Sequence, residues 1–145
     1  KLIKESKGDW YAIQDGDDVW APKKLERQMA NSELFDVIGT QIIYIDENGN
    51  HTGGPNLAKN DALIKSKSLG GDNQVANTSA IFRKKCLDDI KGWREDVDGI
   101  EDFDFWLRIM RIGHKFSNLP THEVFHRLHS NSNFNVNKYD LNKIL

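Results

Sequence analysis

Cysteine is nearly absent from this chain of 145 residues: Cys86 stands alone. An internal disulfide is excluded, no thiolate metal site can be assembled, and a reducing compartment follows; Cys86 reads as a small buried hydrophobe. Charge of one sign is also lacking. The 20 Lys and Arg are intermixed with 22 Asp and Glu, for a net charge of -2, so no basic stripe exists to track a phosphate backbone and nucleic acid is excluded as a partner. No hydrophobic run approaches the roughly 20 residues of a membrane helix, and the N-terminus shows no signal-peptide h-region, so a soluble protein without a transmembrane segment is expected. Internal repeats are missing too, and the length suits one domain spanning 1–145.

What is present is a series of short α/β signals. Lys1 to Lys7 resembles the end of a helix, with Gly8 as its C′ residue, which suggests a fragment of a longer chain. Trp10 to Gln14 has the β-branched and aromatic content of a strand buried on both faces. Three carboxylates, Asp15, Asp17 and Asp18, follow at once. Carboxylates this close raise one another's pKa unless they are splayed into water or share a cation. Their place past a strand end is where ligands bind in open α/β sheets. Pro22 opens a helical pattern with Leu25, Met29 and Leu34 as its apolar positions. Val37 to Ile45 reads as a strand ending in an Asn/Gly turn, residues 55–72 as a loop or short helix, 73–82 as a strand, and 83–90 as a short helix stopped by Gly92. Phe103, Trp106, Leu107 and Met110 follow the i, i+3, i+4, i+7 spacing of a helix that stops at Gly113. Strand pieces are expected at 115–119 and 124–128, then a mobile tail over 130–145. Trp20, Phe105 and Trp106 are assigned to the core.

Two metal motifs are approached and missed. An EF-hand loop begun at Asp15 puts Val19 and Trp20 where an oxygen ligand and a glycine are needed, and one begun at Asp46 puts His51 at the glycine and Leu57 at the final carboxylate. His122 to His126, "HEVFH", matches the zinc-peptidase pattern H-E-x-x-H. The third protein ligand is missing, because the extended motif would need Gly at His129 and His at Ser132. Val124 and Phe125, shortly after Pro120, suit a strand as well as a helix, so a zinc peptidase is the remote alternative.

Four linked segments carry a better lead. "GDWYAIQDGDDVWAPKKLERQ", "DVIGTQIIYIDENG", "GWREDVDGIEDFDFWLRIMRIG" and "NLPTHEVFHRLHSNS" resemble, in order, segments of the family 2 glycosyltransferases with the GT-A fold. The first is similar to that family's "GeYiaflDsDDvw.peKLe.Q", with its D-x-D motif, and the third and fourth to its "EDyDlWlRl" and "nlpe.lvyyRvH" segments. The resemblance implies a GT-A-like mixed sheet flanked by helices, incomplete because the family's N-terminal β-α-β units have no counterpart here. An exposed sheet edge, open to pairing with another chain, is then expected.

The resemblance also implies a chemistry: transfer of a sugar from a nucleotide-diphosphate sugar to a hydroxyl of a carbohydrate or other acceptor, inverting, with Mn²⁺ or Mg²⁺ bridging the diphosphate. Asp17 is assigned as metal ligand with His129, and Asp15 to the ribose or a metal-bound water. Asp18 is set to orient the loop, or alternatively to cap the following helix. Asp102 is assigned as the base that takes the acceptor proton, Glu101 to the acceptor or to positioning Asp102, and Arg127 to the phosphate charge. From the residues alone, Glu101 and Asp102 are equally the first-turn acids of a helix, and His129 a solvated histidine. A cytoplasmic location is expected, peripheral to a membrane in a parent enzyme as an alternative, and a non-catalytic remnant is the second reading of function.

Overall fold

The computed structural model describes residues 5–97, 99–129 and 140–145. Of the tail expected over 130–145, residues 130–139 lie outside them, as does the start of the first helical segment, while 140–145 holds a 3₁₀ turn at Leu141–Lys143 and buries Ile144. Six strands form one sheet: β1 (Trp10–Ala12), β2 (Val19–Trp20), β3 (Val37–Ile45), β4 (His51–Gly53), β5 (Ile81–Arg83) and β6 (Phe116–Arg127). Their order is β1-β5-β3-β6-β2, with β4 attached to β3. β3 and β6 are parallel and every other pairing is antiparallel, which gives a mixed sheet with β1 and β2 at its edges. Four α-helices that lie wholly within the described residues accompany it: α1 (Lys24–Met29), α2 (Asp61–Leu69), α3 (Lys84–Asp89) and α4 (Glu101–Arg111). None of the helices among the described residues is long and apolar enough to cross a membrane.

The core is built on α4 and β5. Phe82 meets the rings of Tyr11, Phe105 and Trp106, and Trp93 stacks on Phe105 at 4.3 Å between centroids. Each such aromatic contributes roughly 2–3 kcal/mol by leaving water. The spacing of Phe103, Trp106, Leu107 and Met110 thus marks the face of α4 that is buried, and Phe105 and Ile109 are buried as well. Asp104 shares that interior because Arg94 Nη1 (3.1 Å) and Arg108 Nε (2.7 Å) neutralise it. Ile144 is buried against the same cluster, and Arg111 Nη2 donates to its carbonyl at 3.0 Å.

Several expected elements differ in extent. β1 ends at Ala12, two residues before Gln14, because the chain turns away once Ile13 N has donated to Ala80 O at 3.3 Å. The strand expected from residue 73 narrows to β5, preceded by a 3₁₀ turn at Asn77–Ser79. The ambiguous stretch before it holds α2, capped by Asn60 Oδ1 accepting from Leu63 N. The two strand pieces near the C-terminus are one strand, β6: its pairing with β3 skips from Leu119 opposite Thr40 to His122 opposite Gln41. Pro120, which has no N–H to donate, falls in the bulge.

α1 faces opposite to expectation. Leu25 and Met29 are exposed, as is Leu34 beyond the helix, whereas Lys24 and Gln28 are buried. The reason is hydrogen bonding: Gln28 Nε2 donates to the carbonyls of Ile38 (2.6 Å) and Ser79 (2.9 Å), and Lys24 Nζ donates to Gln28 Oε1 at 2.9 Å. The Lys24 ammonium lies 3.9 Å from the Trp20 ring centroid, and burial brings its pKa down to about 8. Trp20 is accordingly only half-buried, while Phe105 and Trp106 lie fully in the core.

β1, β3 and β6 run in one direction; β3 and β6 finish level, with Ile45 opposite Arg127, whereas β1 stops at Ala12, level with Ile38, and the chain beyond it continues to Asp18 at the end of β6. Asp46 follows β3 directly, and His129 lies two residues past β6.

Candidate functional site

Between β1 and β2 the chain makes a tight turn, with Asp18 N donating to Asp15 O at 3.2 Å. β2 then pairs with the last residues of β6, Val19 opposite Phe125, and draws Asp18 against that strand. The Asp18 side chain is 0 % exposed, and both of its oxygens are taken by β6. Oδ1 accepts from the Arg127 amide at 2.9 Å and Oδ2 lies 2.9 Å from His126 Nδ1. Burial works against ionisation here, but the bonds from His126, the Arg127 amide and Thr78 hold the carboxyl below the usual carboxylate range. Asp18 does not cap α1, whose N-cap position is Lys23.

Asp17 points outward, 44 % exposed, and its Oδ2 stands 3.1 Å from His129 Nε2. Sequence assigned these two residues jointly to a metal, and the fold brings them together from 112 positions apart. Arg127 Nε donates to the Asp17 carbonyl at 3.1 Å, and its Nη1 to the carbonyls of Asp46 (2.9 Å) and Glu47 (3.2 Å).

Asp102 stands half-buried in the first turn of α4, beside exposed Glu101. Burial raises its pKa, and the charges of Glu101 and Asp15 add to the effect. Asp15 is likewise raised, by burial and then by Asp18 and Asp17, with His126 opposing. Asp15 therefore feels the charge of the acid turn while its own charge reaches Asp102, which joins the α4 terminus to the turn electrostatically.

His126 went unassigned by sequence reasoning except as half of the H-E-x-x-H pattern. In β6 that pattern is extended, so His122 and His126 lie about 13 Å apart at ~3.3 Å per residue, too far to share an ion. Glu123 between them is buried on an ion pair with Arg27. The overlooked signal is the spacing of His126 and His129 on either side of Arg127, opposite two consecutive aspartates. The Asp18 bond raises the pKa of His126 over the opposing effect of burial, helped by the charges of Asp18, Asp15 and Asp17.

Among the described residues no group of three or more His, Cys, Asp or Glu side chains converges as a complete metal cage. Asp17 and His129 offer two donors on an open face, which fits a hard divalent cation whose remaining ligands are phosphate oxygens and water.

Comparison with known proteins agrees with the architecture. An uncharacterized glycosyltransferase of Methanocaldococcus jannaschii is 27% identical over 137 residues, covering 92% of this chain and 47% of that protein. The putative glycosyltransferase EpsE of Bacillus subtilis is 28% identical over 124 residues, covering 81% and 42%. The O-antigen biosynthesis glycosyltransferase WbnJ of Escherichia coli is 29% identical over 135 residues, covering 90% and 52%. The chain thus spans about half the length of these curated relatives. The crystal structure of S. aureus TarS 1-349 in complex with UDP-GlcNAc superposes with a TM-score of 0.73 at 17% identity, over 98% of this chain and 41% of that one. The sheet is accordingly an incomplete GT-A-like sheet. Residues 1–91 match glycosyl transferase family 2, and the chain belongs to that family.

Proposed function

We propose that the protein transfers a sugar from a nucleotide-diphosphate sugar to an acceptor hydroxyl in a single inverting displacement, with a divalent metal at the diphosphate. The observation that carries this reading is the Asp17–His129 pair beside two carboxylates, Asp15 and Asp102, that act on each other electrostatically and are both raised, by burial first and by neighbouring acids second. Family membership and the UDP-GlcNAc held by TarS support a nucleotide-sugar donor. The single buried cysteine supports a reducing, cytoplasmic setting.

Asp17 and His129 would hold Mn²⁺ or Mg²⁺, and the bound ion would offset the negative charge that grows on the departing diphosphate. Asp15 faces the ribose or a water of the metal shell. Asp102 accepts the proton of the attacking hydroxyl; its raised pKa brings it closer to the value suited to a base at neutral pH. Glu101, one residue earlier at the exposed start of α4, would meet the acceptor. Arg127 spends Nε and Nη1 on carbonyls, so Nη2 is the end of its guanidinium available to a phosphate.

Calorimetric titration of UDP-sugars into the purified chain, with and without Mn²⁺, tests the reading. Metal-dependent binding that Asp17→Asn weakens and Asp102→Asn preserves is the expected result. Absence of any metal-dependent binding would favour a non-catalytic remnant.

A further inference from the structure

Two histidine–aspartate rungs connect the acid turn to the end of β6, and they differ in exposure. The Asp17–His129 rung is open to water, whereas the Asp18–His126 rung is closed, with the two side chains 0 % and 21 % exposed. We propose that His126 is a positioning residue: through Asp18 it fixes the acid turn on β6 and so sets where Asp17 and Asp15 stand.

The physical argument begins with Asp18. A buried carboxylate is tolerated only when its oxygens are bonded, and here one oxygen is held by the main chain of Arg127 and the other by the imidazole Nδ1, with Thr78 as a further side-chain partner. The Tyr44 ring, centred 5.9 Å from that of His126, helps to fix the imidazole plane. Asp17 is the neighbour of Asp18, and His129 lies three residues beyond His126, so the closed rung sets the register of the open one. Without the imidazole, Asp18 would keep the Arg127 amide and Thr78 but lose its partner on Oδ2, which loosens its hold on β6 and with it the place of Asp17 opposite His129. His126 reaches neither donor nor metal in this account; it acts on them through Asp18, as outer-shell partners of metal ligands do.

The proposal rests on the sugar-transfer reading only in its consequence for metal, and its test has two arms. The first compares wild type, His126→Leu and His126→Asn by amide hydrogen exchange without metal; Asn is chosen because its side-chain N–H can stand where Nδ1 stands. The Arg127 amide should exchange about tenfold faster or more in the Leu variant, as expected for loss of a hydrogen bond to a charged group, and near the wild-type rate in the Asn variant. The second arm follows Mn²⁺ by water-proton relaxation, where affinity should fall roughly 10–100-fold in folded His126→Leu and recover in His126→Asn. Wild-type exchange rates in a folded His126→Leu chain would overturn the proposal. Should that variant fail to fold, a slowly exchanging, downfield Nδ1 proton in the wild type supports the closed rung, and its absence overturns it. Failure of wild type to bind Mn²⁺ would sink the metal reading while the exchange arm still decides the role of His126.

Discussion

The two ends of the parallel β3–β6 pair each gather aspartates around histidine, with different electrostatic results. At the N-terminal end, His114 lies 3.3 Å from Asp36 and 3.0 Å from Asp89, and Arg83 and Lys85 complete the pairing. Burial works against the Asp36 anion, yet the Lys115 amide, His114 and Arg83 hold its pKa down; Lys85 and then His114 do the same for Asp89. Cys86 beneath them is fully buried, as expected, and its thiol is pushed up to about 12 by burial and by the Asp36 charge. Toward the C-terminal end His126 holds Asp18 down in the same manner, but Asp15 and Asp102 are shifted up, by burial first and by neighbouring acids second. Every aspartate named at the first end is matched, whereas at the second only Asp18 is, and carboxylates left raised in this way are candidates for a functional site.

The sharpest test of that contrast is turnover in the full protein. Asp102→Asn should lower it by roughly 10²–10⁴-fold, the worth of a positioned base, with donor affinity nearly kept, while Asp36→Asn at the other end leaves turnover unchanged. Equal losses from both would erase the distinction. Asp17→Asn ranks next: Mn²⁺-dependent donor affinity should drop by about tenfold or more, read by calorimetry. Asp36→Asn should instead cost about 1–2 kcal/mol of stability in urea, since the Lys115 amide and His114 lose a charged acceptor, and should leave Mn²⁺ binding intact. The smallest effect is the most diagnostic. Because the folded pKa of Asp15 is raised, the native state binds its proton more tightly than the unfolded chain does, and ionised Asp15 weakens the fold at neutral pH. Asp15→Asn should therefore raise the thermal midpoint of the metal-free chain at pH 7, with the gain fading as pH falls toward the ordinary aspartate value near ~4. A lower midpoint at pH 7 would mean that Asp15 is a structural acid like Asp36.

Local chemistry was legible in the sequence, and of the long-range pairings Asp17 with His129 was legible only through the family resemblance. A strand followed at once by three acids, and a helix opening on Glu101 and Asp102, are read within a few residues of chain, and both stand where expected. α1 defeated the periodicity argument because apolar spacing counts Leu25 and Met29 but is blind to a glutamine whose amide satisfies two buried carbonyls. Glu123 is hidden for the same reason, as its burial depends on Arg27, 96 positions away. His126 looked like half of a zinc motif until the extended strand separated it from His122. Its partner Asp18 is 108 positions away, and only the meeting of β2 with β6 reveals it.

The Arg127 guanidinium joins three carbonyls from two separate turns: Asp17 in the acid turn, and Asp46 and Glu47 in the turn that follows β3. The second turn is already closed on itself, with Asp46 Oδ1 accepting from the amides of Asn48 (2.9 Å) and Asn50 (2.8 Å). One cation therefore ties two loops together before any ligand arrives. Their ordering entropy is lost during folding rather than at binding, so a ligand at the acid turn meets a surface already set. The same tie carries disturbance: a length change in the Asp46–Asn50 turn, though far along the chain from the aspartates, would be transmitted through Arg127 to Asp17.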